Sequence, residues 1–193
     1  MTTEYWILLT AAVAVAALLA ALIVLRWRRR RSDMLGTLRA VAVERLENVL
    51  VPNGMGGHIQ IEHLVLTAYG ILVVDVKPFE GIVFASDRMN DWTVMGRQGR
   101  FGFPNPQSTL YDRVAAVKQL IRDVQVTGYV LFPDVADFSK GRPKDVIQPR
   151  ELAERYKKPD RSATEKVGLA FAQHWETICK AAEPAPLAAP KRR

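Results

Sequence analysis

The sequence predicts an α/β protein whose mixed sheet has helices on its faces, preceded by one transmembrane helix. Three observations lead to this prediction: a twenty-residue apolar run near the N-terminus, two amphipathic helical patterns, and several short runs of branched apolar residues. After the apolar run, the predicted order is helix, three strands, helix, strand. This order suits a mixed sheet with helices packed against it.

The apolar run at residues 6–25 contains Thr10 as its only polar side chain. A helix of this length rises roughly 30 Å, which matches the hydrocarbon core of a bilayer. A cleaved signal peptide would carry its positive charge before the apolar run, whereas here five arginines follow it within 26–31. Arginines stay on the cytoplasmic side, so we expect a retained single-pass anchor in the inner (cytoplasmic) membrane with the soluble domain in the cytoplasm.

The basic charge of the chain belongs to its two ends. The sequence has 27 Lys plus Arg and 20 Asp plus Glu; residues 1–31 hold five of the cations and one of the anions, and residues 191–193 hold three more cations. The rest is neutral in balance, so net charge does not indicate a DNA-binding domain. A DNA-contacting arm is the alternative for 26–31, but their position favours topology and anionic lipid. The single Cys179 excludes an intrachain disulfide and a Cys-rich zinc site.

The first half of the soluble chain predicts one helix and three strands. Apolar residues recur at helical spacing over 35–49, so we predict a helix from residue 32 or 33 to about Leu50. A loop rich in glycine follows, and then come strands at 58–67 and 71–76, the second rich in branched residues. Proline at position 78 blocks continuation of the second strand. A third strand is predicted at 81–85, at hairpin distance from the second.

The second half predicts further helices and strands. A polar, Gly-rich region at 86–104 contains a short strand or two, with Trp92 and Phe103 as packing anchors. An amphipathic helix then covers 107–124, with apolar residues along one face. Next come a strand at 128–132, a short strand near residue 146, and helices at 151–156 and 162–181.

Two neighbouring strands carry the residues that predict chemistry. Glu62 lies inside the first strand, Asp75 ends the apolar run of the second, and Lys77 follows two residues later. If these strands pair through the intervening turn, Glu62 and Asp75 lie across from one another and repel unless a cation joins them. Mg²⁺ or Mn²⁺ prefers such oxygen ligands. This predicts metal-dependent phosphodiester hydrolysis in which Lys77 orients water or stabilises a phosphoryl oxygen. An ordinary exposed strand end is the alternative for Asp75 and Lys77.

The segment at 60–81 resembles the core of the nuclease-related domain, NERD, a family of the PD-(D/E)xK nuclease superfamily. The family's Ile-Asp-His strand, its Gly-Ile/Val-Phe-Val-Ile arm, its Glu-x-Lys triplet and its later glycine correspond to residues 61–63, 70–74, 75–77 and Gly81. The resemblance covers about residues 33–133. It implies a restriction-endonuclease-like mixed sheet and a DNA substrate, with Mg²⁺ or Mn²⁺ held by the carboxylates.

The family's usual Asp is Glu62 here, which is one methylene longer, and its usual Glu is Asp75, which is one methylene shorter. The two changes in side-chain length therefore complement each other. Within the superfamily, Gln107 and Tyr111 have the spacing of a nucleic-acid-contacting pair found in some exonucleases. They are equally well explained as a helix-start residue and a core-edge aromatic. A further acidic ligand could come from Glu44 or Glu47 of the first helix, although solvated helix charges need no such role.

The resemblance leads to two functional hypotheses. The first is a membrane-anchored cytoplasmic enzyme that hydrolyses DNA, with RNA as the alternative substrate. Because many members of the superfamily act as dimers, the resemblance leaves a homodimer open. The second is a catalytically degenerate module that binds nucleic acid or protein at the membrane, which the carboxylate exchange and the neutral charge balance favour. The predicted domain organisation has four parts. They are an anchor with its basic flank (1–31), a nuclease-related core (32–133), a C-terminal α/β extension packed on the core (134–181) and a disordered tail (182–193).

Overall fold

The computed structural model describes residues 15, 18, 21, 22, 25, 33–97, 99–158 and 161–186. The predicted anchor at 1–31 therefore lies outside the described residues, apart from five helical positions at 15, 18, 21, 22 and 25. Within the part of the chain that is described, no helix is both long and apolar enough to cross a membrane.

The described chain alternates strands with a few helices. A helix over 33–41, here α1, is followed by six strands: β1 (Glu44–Pro52), β2 (His58–Thr67), β3 (Gly70–Val76), β4 (Gly81–Phe84), β5 (Asp91–Gly96) and β6 (Gly99–Pro104). Then come α2 (Gln107–Leu120), β7 (Val126–Leu131), β8 (Ala136–Asp137), β9 (Val146–Ile147), α3 (Pro149–Arg155), α4 (Arg161–Ala181) and β10 (Glu183–Pro184). The mixed α/β class predicted from the sequence is confirmed.

The strands form two sheets. The larger has the order β10-β1-β2-β3-β7-β9, in which β1, β2 and β3 pair antiparallel and β7 runs parallel to β3. The smaller has the order β6-β5-β4-β8. The tight turn between β2 and β3 needs Gly70, whose φ is +125° and whose added Cβ would lie 2.5 Å from the carbonyl oxygen of Gln125.

The predicted first helix is wrong beyond residue 41, because residues 44–52 form β1. This segment pairs with β2 along its length, from Glu44 opposite Leu66 to Pro52 opposite His58. Apolar spacing alone does not separate a short helix from a strand, and the backbone pairing with β2 decides the outcome. Consequently Glu44 and Glu47 are strand residues and not solvated helix charges.

The predicted third strand is present, but the expectation that it forms a hairpin with the preceding strand is wrong, because it belongs to the smaller sheet. Gly81–Phe84 pairs with β5 and β8, and not with β3. Beyond β3, the N–H of Lys77 donates to the carbonyl oxygen of Leu131 (2.9 Å), so the chain continues along β7 before Pro78 turns it away. If the strands of the smaller sheet are left aside, the order helix, three strands, helix, strand is present as α1, β1, β2, β3, α2 and β7, with β1 in place of the predicted strand at 81–85.

Helices cover both faces of the larger sheet. On one face, Leu110 and Val117 of α2 share a buried core with Leu64, Ile71 and Val73. On the other face, Met34 and Leu38 of α1 and Leu152 of α3 pack with Leu72 and Val74. Trp92, predicted as a packing anchor, is fully buried. Within the predicted tail, Glu183 and Pro184 pair with the edge of β1.

Candidate functional site

The pairing of β2 with β3 brings the two predicted carboxylates to one place. His63 lies opposite Val74, and the next step of the same antiparallel register sets Glu62 opposite Asp75. Directly opposed residues of an antiparallel pair project to the same face of the sheet. The short turn at Gly70 fixes this register, so the predicted proximity of Glu62 and Asp75 follows from local pairing.

Asp75 is a buried carboxylate held by a basic partner. Only 2% of the residue is exposed, and Nη1 of Arg113, on α2, donates to its Oδ2. Oδ1 is also buried and has no hydrogen-bond partner among the described residues. Burial raises the pKa of Asp75 above its usual value; Arg113 and Lys77 lower that pKa in part, and Glu62 adds to the rise. One oxygen of Asp75 therefore remains without a compensating proton donor.

Glu62 is oriented by the backbone of the neighbouring strand. The N–H of Val76 donates to its Oε2 (3.1 Å), and its Oε1 lies 3.8 Å from Nε2 of His63. The side chain of Glu62 is about 30% exposed, in contrast to the burial of Asp75. The pair thus combines one solvent-accessible carboxylate with one that is enclosed.

Two clefts meet at Asp75, Lys77 and Arg113. The first, of about 400 Å³, is lined also by Glu62, His63, Gln60, Asn48, Glu47 and Leu35. The second, of about 340 Å³, continues past the same three residues to Phe79, Phe103, Pro104, Asn105, Pro106 and Thr109. Glu62, Asp75 and Lys77, the three residues predicted to act together, therefore border one continuous open site.

The donor set of this site fits a hard divalent cation. Mg²⁺ commonly binds one or two carboxylates and retains several waters, so a cage of three protein ligands is not required. The described residues contain no group of three or more His, Cys, Asp or Glu side chains suited to a metal. Oδ1 of Asp75, buried without a hydrogen bond, is the observation that favours a cation, because such an oxygen is costly to leave unpaired.

Gln107 and Tyr111 lie in a different cluster. Nε2 of Gln107 donates to Oδ1 of Asp87 (2.7 Å) and to Oδ2 of Asp145 (3.3 Å), and the hydroxyl of Tyr111 donates to the same oxygen of Asp145. Burial and this hydrogen bond raise the pKa of Tyr111 to about 12. Neither residue borders the two clefts around Asp75. A nucleic-acid contact by this pair stays a prediction. Its hydrogen bonds tie the first turns of α2 to the two loops that carry Asp87 and Asp145.

Arg113 is the site residue that sequence analysis missed. Beyond its bond to Asp75, its Nε donates to the carbonyl oxygen of Gln60 (2.6 Å), so it connects α2 to both β2 and β3. In the sequence it is one of several charged positions off the apolar face of α2. Only the packing of α2 against the sheet distinguishes it from Asp112 or Lys118, which are exposed.

Comparisons with known proteins match the part of the chain that contains this site. Residues 29–133 match the family model described as nuclease-related domain, NERD, and this range includes Glu62, Asp75, Lys77 and Arg113. An uncharacterized protein of Bacillus anthracis is 29% identical over 101 residues, which cover 50% of this chain and 48% of that protein. The chain thus matches about half the length of this relative. No solved structure matches the chain significantly.

Proposed function

Because the chain belongs to the nuclease-related domain (NERD) family, we propose that its cleft hydrolyses phosphodiester bonds of DNA with the help of Mg²⁺ or Mn²⁺. Placement in the PD-(D/E)xK superfamily is part of the same proposal. The observation that carries it is the pair Glu62 and Asp75 on one face of adjacent strands, with an unpaired buried oxygen on Asp75 and Lys77 beside it.

In this proposal each residue of the site has one task. Glu62 and Asp75 would hold the cation, and the chemistry that it would supply is positive charge at a phosphoryl oxygen and activation of a water molecule. Lys77 positions the attacking water or stabilises the charge that develops on the phosphate. Arg113 fixes Asp75 through Oδ2, so Oδ1, which has no hydrogen bond from the described residues, is the oxygen left for the cation.

The direct test is cleavage by the full chain purified in mild detergent. Supercoiled, linear and single-stranded DNA would be incubated with Mg²⁺, Mn²⁺ or EDTA, alongside Asp75→Asn and the control Asp112→Asn. Asp112 is an exposed carboxylate on α2, so its loss leaves the site intact. We expect Asp75→Asn to lower the cleavage rate by at least about 100-fold, because it removes a metal ligand. Calorimetry with Mn²⁺ should show binding to the control and none to Asp75→Asn.

A second function, binding without hydrolysis, is favoured by one specific observation. Arg113 forms an ion pair with Asp75 and so already supplies positive charge beside it, as an arginine does where it takes the place of a metal ion. If folded wild-type protein binds DNA but neither cuts it nor binds Mn²⁺, the chain is a catalytically degenerate module at the membrane. Cleavage that EDTA abolishes would exclude this alternative.

We further propose that residues 1–31 anchor the domain at the cytoplasmic face of the inner membrane. The apolar run and the arginines after it support this topology. Leu35 borders the cleft and follows the run's last residue, Leu25, by ten positions. Ten residues span at most about 36 Å, so the site would act close to the membrane surface.

Cell fractionation tests the anchor. The full chain should stay in the membrane pellet after an alkaline wash, and a variant without residues 1–31 should be soluble. Protease added outside spheroplasts should leave the domain intact. Recovery of the full chain in the soluble fraction would contradict anchoring, and digestion from outside would contradict the cytoplasmic orientation.

A further inference from the structure

The second cleft has a wall of aromatic side chains, here called the aromatic wall: Phe79, Phe101 and Phe103. The ring centroid of Phe79 lies 4.9 Å from that of Phe101 and 5.1 Å from that of Phe103, and Phe101 and Phe103 are 6.2 Å apart. Phe79 and Phe103 border the cleft that also contains Asp75, Lys77 and Arg113. A cluster of aromatic rings is therefore continuous with the proposed hydrolytic site.

Packing of the core does not account for Phe101. Phe79 and Phe103 pack against the buried core, but Phe101 is 42% exposed. It lies on β6, which is the terminal strand of the smaller sheet among the described residues. Exposed aromatic surface of this kind, next to a charged cleft, is a feature of binding sites.

Resting on the function proposed above, we propose that the substrate is single-stranded DNA whose unpaired bases stack on the aromatic wall. A base inside a duplex is already stacked and presents only its edge, whereas an unpaired base can place its face on a phenylalanine ring. Two basic residues, Lys77 and Arg113, line the same cleft, and their positive charge favours the phosphates that connect such bases. The site thus pairs a stacking surface with cationic groups, as single-strand binders do.

The test measures binding rather than cleavage, so it does not depend on hydrolysis. Full-length protein in mild detergent and EDTA would be titrated against a fluorescent oligonucleotide of about twelve bases, single-stranded or annealed to its complement. The variants are Phe101→Ala, Phe101→Leu and Phe101→Trp. Met95→Ala is the matched control, because Met95 is a similarly exposed apolar side chain (46%) on β5 of the same sheet. Thermal melting would confirm that each variant is folded.

We expect the wild type to bind the single strand more tightly than the duplex. Phe101→Ala and Phe101→Leu should weaken single-strand binding by about 5- to 150-fold, because both remove an aromatic face. Phe101→Trp and Met95→Ala should bind like the wild type. Equal affinity for duplex and single strand would overturn the proposal, and so would wild-type binding by Phe101→Leu, since apolar bulk alone would then suffice. The leucine and tryptophan variants keep a large apolar side chain at position 101, so they provide the test if the alanine variant unfolds.

The outcome separates this proposal from the proposed hydrolysis. Single-strand binding that requires an aromatic residue at position 101, without cleavage in Mg²⁺ or Mn²⁺, would support the aromatic wall and contradict the nuclease. Cleavage of duplex DNA by both wild type and Phe101→Ala at equal rates would support the nuclease and contradict the single-stranded substrate.

Discussion

At the scale of single residues, the site depends on the different environments of two carboxylates. Glu62 is partly exposed and is held by the N–H of Val76, whereas Asp75 is enclosed and bonded to Arg113. Burial disfavours the charged form of Asp75 more than Arg113 and Lys77 favour it, so the pKa of Asp75 is raised. Ionisation of Asp75 therefore lowers the stability of the folded protein, and a bound cation would offset this cost.

This raised pKa predicts how stability changes with pH. Unfolded, Asp75 titrates near its ordinary value of 3.8, whereas folded it holds its proton to a higher pH. Between the two pKa values the folded state binds more protons, so the contribution of Asp75 to stability falls as pH rises through that window. Denaturant unfolding at several pH values should show wild type losing stability relative to Asp75→Asn from about pH 4 upward.

Asp112→Asn is the control for this pH series, because Asp112 is exposed on α2. Its unfolding free energy should follow that of the wild type over the same pH range. A difference between wild type and Asp75→Asn that stays constant with pH, or that grows in favour of the wild type, would contradict a raised pKa at Asp75.

At the scale of elements, the position of Arg113 depends on how closely α2 approaches β7. A Cβ on Gly128 of β7 would lie 2.7 Å from Cγ2 of Val114 and 2.9 Å from Cγ of Leu110, both on α2. These contacts are shorter than packed side chains permit, so the helix sits directly against the glycine. The close approach carries Arg113 to the end of β3, where Asp75 lies.

Gly128→Ala should therefore destabilise the protein by about 1–3 kcal/mol, because α2 must move away from the sheet or repack. Gly36→Ala is the matched glycine substitution: position 36 is helical and exposed, and a Cβ there meets no atom within 4 Å. It should raise stability by about 0.5–1 kcal/mol through the lower entropy of the unfolded chain. Urea denaturation measures both, and equal effects of the two substitutions would contradict this packing argument.

At the scale of the whole molecule, the C-terminal region completes the core of the nuclease-related domain. Trp175 and Ile178 of α4 are buried in the same cluster as the residues of β2, β3 and α2. β8 and β9 extend the smaller and the larger sheet respectively. Segments after residue 133 therefore contribute directly to the sheets that carry the site.

Trp175→Ala should lower the free energy of unfolding by about 3–5 kcal/mol, because it leaves a cavity in the shared core. Leu169→Ala on the same helix should change it by less than about 0.5 kcal/mol, since Leu169 is 74% exposed. Thermal and urea unfolding would be followed by circular dichroism and by tryptophan fluorescence. A small effect of Trp175→Ala would show that α4 is dispensable for the core.

Local pattern was sufficient for some elements and insufficient for others. Strands at 58–67 and 71–76 and the helix from residue 107 were predicted closely, because branched runs and apolar periodicity specify them over a few residues. The segment at 44–52 fits a helix by spacing and forms a strand by pairing with β2. The partner of Gly81–Phe84 depends on β5 and β8, which its own residues do not specify.

The sequence by itself determined the α/β class, the charge pattern of the N-terminal segment and the proximity of Glu62 to Asp75. The last follows from sequence because a short turn joins their strands and leaves one register that buries the apolar face. The tertiary structure alone decided that Arg113 binds Asp75, that Gln107 and Tyr111 belong to a separate cluster, and that an aromatic wall borders the site. These contacts join residues distant in sequence, so they depend on how helices and sheets pack.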